Sequence, residues 1–405
     1  MEIFLSVGEP SGDLHGANLI GEMRRRNRDL TFSGLGGPKM AAAGCHLLAD
    51  MSDLAVMGLF PVLAKLPEFF SLIGEVDRYL GNHRPEAVVL VDYPGFNTLL
   101  AWRAKSHGIP VFYYGMPQWW AWAPWRLSLL APNVDHALCK LPFEVAWYGE
   151  RGLKTTYVGH PYFDELASQQ LDQEFLDSQR GRAGRLVTIL PGSRTQEVES
   201  NLPSFLQSAV RIRQACPDVR FAIASYNEKQ GLRARQMAQD YDLPIDTFVN
   251  RTAELIHLGE SCLACSGSVS LELLYHLKPA TILYKVSWLS EVIARQLLTV
   301  RYMTLVNLLA SEELAGWDGK EYDPNQPGHE QVIYPEYPTS GDKSAEVAEH
   351  IIEWMTDEPK RQAVIARLTQ LRQKLAHRGA SAVAAEYILG NLPGAKLPQE
   401  LRRAA

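Results

Sequence analysis

Short apolar runs alternate with longer amphipathic stretches along the chain, and this alternation predicts β-strands linked by helices in parallel sheets. The predicted strands of the first half lie at residues 2–7, 31–35, 87–91, 111–115 and 135–139. A polar segment follows at 165–185, after which a second series of strands is predicted at 186–190, 219–225, 261–265 and 280–284. After about residue 340 the pattern is helical throughout.

The two series predict an α/β protein with two doubly wound, Rossmann-like domains at 1–165 and 185–375 and a helical tail at 376–405. Residues 311–342 are rich in Gly, Pro, Asp and Tyr, so we expect a long loop or insertion there. Ligands of doubly wound sheets bind at the carboxyl ends of the strands. The residues that follow each strand are therefore the first candidates for a site.

Composition narrows the class of protein. The chain has 405 residues, of which 46% are apolar and 21% charged, a balance typical of globular proteins. The 40 Lys and Arg residues against 46 Asp and Glu give a formal charge of −6, which disfavours a nucleic-acid binder. Five cysteines, no basic leader sequence and no bilayer-length apolar run indicate a cytoplasmic protein.

Two loops of the first half carry candidate chemistry. Gly8 and Gly12 allow a sharp turn after the first strand, and Ser11 or Asp13 is expected to cap the following helix. A capped turn without further function explains this loop equally well. Asp92 ends a predicted strand, where a carboxylate can serve as a general base. The alternative is that Asp92 caps the helix after Pro94.

Two loops of the second half suit a phosphorylated ligand. Gly192, Ser193 and Arg194 open a helix whose free N–H groups, together with the guanidinium, suit a diphosphate. The alternative is a surface ion pair of Arg194 with Glu197 or Glu199. The segment 266–272, SGSVSLE, offers further amides for a phosphate, and Glu272 is expected to reach ribose hydroxyls. A plain capped helix start is the alternative.

Other conspicuous residues are less specific. Trp119, Trp120, Trp122 and Trp125 are equally consistent with a core plug and with the wall of an acceptor pocket. The pair Cys262 and Cys265 lies in a predicted strand, so we interpret it as two strand cysteines. Because no pair of histidines has zinc spacing, no metal is expected.

Taken in order, ten motifs resemble those of the lipid-A-disaccharide synthases. Each motif is moderately specific and the ordered set, over about residues 1–310, is highly specific. The motifs are GEPSGDLHGA (8–17), GLGGPKM (34–40), LAVMG (54–58), VDYPGFN (91–97), WAW (120–122), LPFE (141–144), VGHP (158–161), LPGSR (190–194), SGSVSLE (266–272) and NLLA (307–310).

The resemblance implies a GT-B fold, with two Rossmann-like domains facing across a cleft and a C-terminal helix returning to the first domain. It implies an inverting glycosyltransferase without metal or other cofactor, whose donor is UDP-2,3-diacylglucosamine and whose acceptor is 2,3-diacylglucosamine 1-phosphate. The products are the β-1,6-linked lipid A disaccharide phosphate and UDP. Residues 1–165 would hold the acceptor and face the membrane, and residues 185–375 would bind the UDP-sugar.

By motif, Asp92 matches the catalytic aspartate of the family and Arg194 its essential arginine. The resemblance also assigns a set of substrate- and nucleotide-binding residues: Glu9, Ser11, Gly12, His15, Gly192, Ser193, Ser266, Gly267, Ser268, Glu272 and Asn307. The sequence departs from the family at Gly95, often Asp, at Met116-Pro117-Gln118, usually Ser-Pro-Ser, and at Val306, usually Pro. These departures bear on the acceptor contacts and not on Asp92 or Arg194.

Acylated substrates lie in a bilayer, so we expect the chain to dock peripherally on the inner face of the inner membrane. The apolar stretch 57–73, with Phe60, Leu63, Phe69 and Phe70, is flanked by basic residues as an interfacial segment would be. A role in the domain core is the alternative.

A homodimer is left open. Two other functions are also open: another UDP-sugar enzyme of the GT-B class, such as a soluble-acceptor transferase or an epimerase, and a non-catalytic nucleotide-sugar-binding module.

Overall fold

A computed structural model describes residues 1–51, 66–311, 323, 329–377 and 379–393. The chain divides into two compact units, each with its own parallel sheet. The first unit comprises Met1–Glu165 and the C-terminal segment from His377, and the second comprises Leu166–Ala376. In the ranges described, no helix is both long and apolar enough to cross a membrane.

The first unit contains a seven-stranded parallel sheet of order β3-β2-β1-β4-β5-β6-β7. Its strands are β1 Glu2–Val7, β2 Thr31–Gly36, β3 Cys45–Asp50, β4 Ala87–Val91, β5 Val111–Tyr114, β6 His136–Cys139 and β7 Thr155–Tyr157. Its helices are α1 Pro10–Arg26, α2 Pro38–Ala42, α3 Leu66–His83, α4 Pro94–Ser106, α5 Leu127–Leu130, α6 Pro142–Gly149, α7 Tyr162–Ser168, which crosses into the second unit, and the C-terminal α17 Ala380–Gly390. Single 3₁₀ turns lie at Trp119–Ala121, Pro124–Arg126 and Ala131–Asn133.

Close packing of α1 on the sheet explains the small residues of the first loop. A side chain at Gly12 would come within 2.7 Å of the Val7 side chain, so only glycine allows this approach. The prediction that Ser11 or Asp13 caps α1 is wrong. Asp13 lies inside α1, and its carboxylate instead caps α2 by accepting hydrogen bonds from the amides of Gly37, Lys39 and Met40 at 2.9–3.0 Å.

The second unit contains a six-stranded parallel sheet of order β10-β9-β8-β11-β12-β13. Its strands are β8 Arg185–Leu190, β9 Val219–Ser225, β10 Ile245–Val249, β11 Ser261–Ala264, β12 Ala280–Lys285 and β13 Glu336–Thr339. Its helices are α8 Gln173–Arg180, α9 Thr195–Ala215, α10 Glu228–Ala238, α11 Thr252–Leu258, α12 Val269–Tyr275, α13 Trp288–Leu297, α14 Leu305–Ala310, α15 Ser344–Thr356 and α16 Glu358–Leu375, with a 3₁₀ turn at His329–Gln331.

Two predicted irregular segments contain regular structure. The polar segment 165–185 includes α8, which Asp172 caps and whose Phe175 packs edge-on against Phe248, so this segment belongs to the second unit. The predicted loop 311–342 includes the edge strand β13. Pro338 within it is tolerated because an edge strand needs fewer backbone donors.

The helix α17 packs on the first unit. Its Ala384, Ala385 and Ile388 join the core formed by the strands around β1. Asp164 caps its start by accepting hydrogen bonds from the amides of Gly379, at 2.6 Å, and Ser381, at 3.1 Å. The fold class predicted from the sequence, two doubly wound α/β units with a helical C-terminal region, is confirmed.

Both sheets have a point where the strand order reverses, between β1 and β4 in the first unit and between β8 and β11 in the second. Connections leave the sheet in opposite directions there, which opens a crevice at the carboxyl ends of the two strands. Each unit therefore has one place where the fold itself favours ligand binding.

Candidate active site

The crevice of the first unit is built by an unusual turn after β4. Asp92 and Tyr93 both have a φ of 47°, in the left-handed region that such residues seldom adopt. The carbonyl of Asp92 accepts hydrogen bonds from the Tyr113 hydroxyl at 2.6 Å and from the Asn97 amide group at 2.8 Å. The turn places the Tyr93 ring against Gly8, so the loops after β1 and β4 meet.

This turn carries the Asp92 carboxylate away from the helix that follows. The N-cap position of α4 is Tyr93, without a side-chain cap, so the alternative that Asp92 caps this helix is wrong. The Asp92 side chain is 28% exposed, and its Oδ1 lies 2.7 Å from the Nζ atom of Lys140. Within the part of the chain that the structure describes, Oδ2 forms no hydrogen bond. A half-exposed carboxylate with one free oxygen suits a proton acceptor.

Lys140 is a site residue that the sequence analysis missed. It follows β6, and its side chain is 12% exposed. Burial lowers the pKa of its ammonium group, but the charge and hydrogen bond of Asp92 and the charges of Glu144 and Glu9 outweigh burial, so the pKa is raised. Lys140 is therefore protonated. The rule that led to Asp92, inspection of the residue after each strand, also points to Lys140.

The first loop contributes residues around this ion pair. Glu9 is exposed at the N-cap position of α1, and Ser11 is exposed in its first turn. His15 is buried, with Nδ1 3.0 Å from Oε1 of Glu165. Burial, together with the charges of Lys140 and His15, holds the pKa of His160 well below its usual value. His160 is therefore neutral.

Glu144 of the LPFE motif lies beneath Lys140. Burial raises its pKa to about 6, although the Lys140 charge and three hydrogen bonds oppose this. The carboxylate accepts those bonds from the amides of Lys140 and Leu141, at 2.9 and 3.0 Å, and from the Trp120 indole, at 3.0 Å. The motif thus fixes the backbone of Lys140.

The four tryptophans of the loop at 119–125 do not all occupy the same kind of environment. Trp119 and Trp120 are buried, whereas Trp122 and Trp125 are exposed. The Arg126 guanidinium lies 5.4–6.0 Å from the ring centroids of Trp119, Trp122 and Trp125. One half of the loop is therefore core, and the other half forms a cationic aromatic surface.

In the second unit, the loop after β8 is closed by its own carboxylate. Oε2 of Glu197 accepts hydrogen bonds from the amides of Ser193, at 2.9 Å, and Arg194, at 3.1 Å. Its Oε1 lies 2.9 Å from the Arg194 guanidinium, whose side chain is 57% exposed. The expectation of free amides at 193 and 194, after the turn at Gly192, is therefore wrong for this structure. The ion pair with Glu197, which was the alternative, is present.

The loop after β11 lies beside it, because the amide of Cys265 donates to the Leu190 carbonyl at 2.9 Å. Ser266 is half-buried, and Gly267 and Ser268 are exposed at the start of α12. Ser268 provides no side-chain cap, so the alternative of a plain capped helix is not what the structure shows. Glu272 is buried within α12.

Asn307, the last of the predicted binding residues, is held by contacts within the second unit. Its Nδ2 donates to the Tyr334 carbonyl at 2.7 Å and to Glu336 at 2.9 Å, and its Oδ1 accepts from the amides of Ile333 and Tyr334 at 3.0 Å. Since these contacts use its hydrogen-bonding capacity and the side chain is fully buried, Asn307 ties α14 to β13. That Asn307 binds substrate stays a prediction.

Cys262 lies in β11 and Cys265 directly follows it. Both are buried free cysteines whose pKa values burial raises to about 12. Over the described residues, no group of three or more His, Cys, Asp or Glu side chains is placed to hold a metal ion. The absence of a cofactor stays a prediction.

The structure describes two of the four predicted docking residues, and these two differ in exposure. Phe60 and Leu63 lie outside the described residues. Phe69 is half-buried, with its ring centroid 6.3 Å from Tyr93 and 5.9 Å from Phe96. Phe70 is 62% exposed.

Comparison with known proteins decides between the open functions. A family described as lipid-A-disaccharide synthetase matches residues 3–355. The chain belongs to this family. Lipid-A-disaccharide synthases of Anaeromyxobacter sp. (strain K) and Syntrophus aciditrophicus are 35% and 33% identical to it, each over 96% of this chain and 97% of theirs. That of Nitrosococcus oceani is 31% identical over 98% of this chain and 97% of its own.

As a member of the lipid-A-disaccharide synthetase family, the chain is a glycosyltransferase of lipid A disaccharide synthesis, as the sequence predicted. Solved structures of low identity share its fold alone. A UDP-GlcNAc 2-epimerase from Neisseria meningitidis, bound to UDP-GlcNAc, matches with a TM-score of 0.61 at 12% identity over 96% of this chain and all of its own. The glycotransferase of kitacinnamycin matches with a TM-score of 0.53 at 15% identity over 97% and 99% of the two chains.

Proposed function

We propose that this synthetase-family chain transfers the diacylglucosamine group of UDP-2,3-diacylglucosamine to the 6-hydroxyl of 2,3-diacylglucosamine 1-phosphate with inversion at the anomeric carbon. The observation that carries the proposal is the carboxylate of Asp92. It stands at the strand-order reversal of the first unit, is half-exposed, and has one oxygen free of hydrogen bonds to described residues.

In the proposed step, the acceptor oxygen attacks the anomeric carbon while Asp92 takes the hydroxyl proton. The bond from that carbon to the diphosphate breaks, and UDP leaves with the bonding electrons. A single displacement inverts the configuration and needs no covalent enzyme intermediate. One positioned base is then enough, which fits the presence of a single half-exposed carboxylate in the turn after β4.

Arg194 is proposed to stabilise the negative charge that develops on the diphosphate. The loop after β8 supports this role because it already binds one anionic group, the Glu197 carboxylate, through two amides and the guanidinium. A diphosphate arriving here would compete with Glu197 for the same donors. Exposed Gly267 and Ser268, in the neighbouring loop, are the other proposed contacts for the nucleotide.

Glu9, Ser11 and His15 surround the loop after β1 and are proposed to contact the acceptor. Gly12 acts differently, since its role in the structure is the close packing of α1.

The epimerase alternative is not favoured, because the likeness to epimerases is one of fold and the family match is to the synthetases.

The peripheral membrane location is also proposed rather than shown. Supporting it, the first unit exposes large apolar side chains on the neighbouring helices α3, α4 and α5 and the turn before α5. These are Phe70, Leu99, Trp102, Trp122, Trp125 and Leu129. Arginines lie over the tryptophans of this surface, Arg103 over Trp102 and Arg126 over the tryptophan loop. Aromatic and basic side chains together are typical of a bilayer interface with anionic lipid.

The proposed function is tested by incubating the purified chain with the synthetic donor and acceptor and identifying the products by mass spectrometry. The expected products are UDP and a tetraacylated disaccharide monophosphate. A parallel reaction with EDTA tests the absence of a metal requirement, and release of UDP without a disaccharide would contradict the proposal.

A further inference from the structure

Three neighbouring strands of the first sheet, β4, β5 and β6, end at the ion pair between Asp92 and Lys140. Asp92 follows β4 and Lys140 follows β6, so the two side chains must cross the end of β5. Gly115, at the end of β5, makes this possible. A Cβ atom there would lie 3.0 Å from Nζ of Lys140 and 3.1 Å from Oδ1 of Asp92. The backbone therefore leaves room for the ion pair.

Both partners are held by their backbones rather than by one another. The amides of Lys140 and Leu141 are bound by the buried carboxylate of Glu144, which the Trp120 indole holds in turn. The Asp92 carbonyl is bound by Tyr113 and Asn97. The two charged groups are thus brought together by contacts that would persist if either charge were removed.

A partly buried ion pair such as this one adds little to stability, because the cost of removing the charges from water offsets their attraction. Stability alone therefore does not explain a lysine placed on the one carboxylate of the proposed reaction. The attraction does change the chemistry of that carboxylate. A cation within about 4–6 Å favours the ionised form of a carboxyl group, the form that can accept a proton.

We propose that Lys140 is a positioning residue for the transfer reaction, a role that rests on the proposed function. Its ammonium group holds Oδ1 of Asp92, so that Oδ2 faces the acceptor hydroxyl. The hydroxyl proton passes to Asp92. Lys140 keeps its three protons throughout, in keeping with its raised pKa.

Other titratable groups act on this pair and must be considered in any pH experiment. Glu9 and Glu144 act on Lys140, Tyr113 lies in the field of Asp92, and His160 lies in the fields of Lys140 and His15. His160 is neutral and its pKa is far below its usual value, so a change between pH 5 and 8 that depends on Lys140 is not due to this histidine.

The test compares the pH dependence of kcat/KM for the wild type, Lys140→Met, Lys140→Gln and Lys140→Arg, with thermal melts of each. Met and Gln remove the charge, and Arg keeps it. The matched control is Lys105→Met, which removes a first-unit ion pair of the same 2.7 Å length, to Asp135, at the opposite ends of the strands.

We expect Lys140→Met and Lys140→Gln to lower kcat about tenfold or more across the pH range, because Oδ1 of Asp92 loses the group that holds it. The KM for the acceptor should change less than about threefold, because the lysine does not bind it. Lys140→Arg should restore most of the lost kcat, and Lys105→Met should leave kcat and the profile unchanged. The Lys140→Gln variant provides a second neutral replacement if Lys140→Met fails to fold.

Two results would overturn the inference, and they are distinguishable. If the wild type forms disaccharide and a folded, charge-free variant keeps the wild-type kcat, only the role of Lys140 is wrong. If the wild type forms no disaccharide at all, the proposed function fails and this role fails with it.

Discussion

At the scale of single residues, the turn after β4 shows how strain and chemistry coincide. A left-handed backbone at a residue other than Gly, Asn or Asp costs about 1 kcal/mol or more, and Tyr93 adopts one directly after Asp92. The hydrogen bonds from Tyr113 and Asn97 to the Asp92 carbonyl stabilise this turn. The packing of the first unit offsets the cost of this left-handed backbone. As a result, the backbone of the turn determines where the Asp92 carboxylate lies.

Replacing that carboxylate by an amide tests its role as the base. Asp92→Asn should lower kcat roughly a hundredfold or more, the usual scale for a lost general base, because an amide cannot accept the hydroxyl proton. The measurement is turnover with defined lipid substrates beside a thermal melt. Asp77→Asn, which removes a similarly exposed carboxylate from α3, is the control and should keep wild-type turnover. Wild-type turnover in folded Asp92→Asn would exclude Asp92 as the base.

The arginine of the second unit gives a second prediction at this scale. Arg194→Ala should reduce kcat/KM by about 2–4 kcal/mol in transition-state stabilisation, roughly 30- to 900-fold, because the diphosphate loses a charged partner. Arg233→Ala is a suitable control, since Arg233 also pairs with a glutamate of α9, Glu199, at 3.2 Å. An equal loss of kcat/KM in both variants would mean that Arg194 contributes only a positive surface charge and does not contact the diphosphate.

At the scale of elements, the sequence predicts the central strands well because they are buried on both sides and read as continuous apolar runs. The strands it misses, β3, β7, β10 and β13, lie at or near the edges of the sheets and carry polar residues or proline. The contacts of Lys140 and Asn307 could not be predicted from the sequence either. Whether a polar side chain faces a carboxylate or a backbone carbonyl depends on contacts between distant segments, such as Asn307 with Tyr334.

The start of α6 gives a prediction that links stability to pH. Glu144→Gln should destabilise the first unit by about 1–3 kcal/mol, because the amide that replaces one oxygen cannot accept from the Trp120 indole. The measurement is chemical denaturation followed by tryptophan fluorescence.

The sign of the pH effect follows from the raised pKa of Glu144. A carboxyl group whose pKa is about 6 when folded and 4.5 in its ordinary state contributes stability that is present below pH 4.5 and lost as the pH rises through 6. The advantage of the wild type over Glu144→Gln should therefore be larger at pH 5 than at pH 7.5, by about 1 kcal/mol. A difference that grows with rising pH would contradict this account.

At the scale of the whole molecule, the proposed docking surface rests on a group of exposed apolar side chains in the first unit. Six large apolar residues, with arginines over their tryptophans, are exposed on neighbouring elements of the first unit. Exposed apolar surface of this kind marks a binding site more often than chance. For an enzyme of acylated substrates, we propose the surface of a bilayer as the partner.

Replacing three of the exposed aromatic side chains tests that surface. Phe70→Ser combined with Trp102→Gln and Trp125→Gln should reduce sedimentation with anionic vesicles severalfold and leave the melting temperature and UDP affinity unchanged, because these side chains lie outside the core. The second-unit variant Tyr226→Ser with Leu232→Gln, which alters equally exposed residues, is the control. Equal sedimentation of the two variants would exclude the first-unit surface.

The central claim is that a single base in the turn after β4 drives an inverting transfer between two acylated glucosamines. It is tested most directly by the nuclear magnetic resonance spectrum of the product made from α-linked UDP-2,3-diacylglucosamine and 2,3-diacylglucosamine 1-phosphate. We predict a new anomeric proton with the large diaxial coupling of a β linkage, attached through carbon 6 of the acceptor and absent from the Asp92→Asn reaction. An α-linked product, or a β-linked product formed equally fast by the Asn variant, would contradict the account.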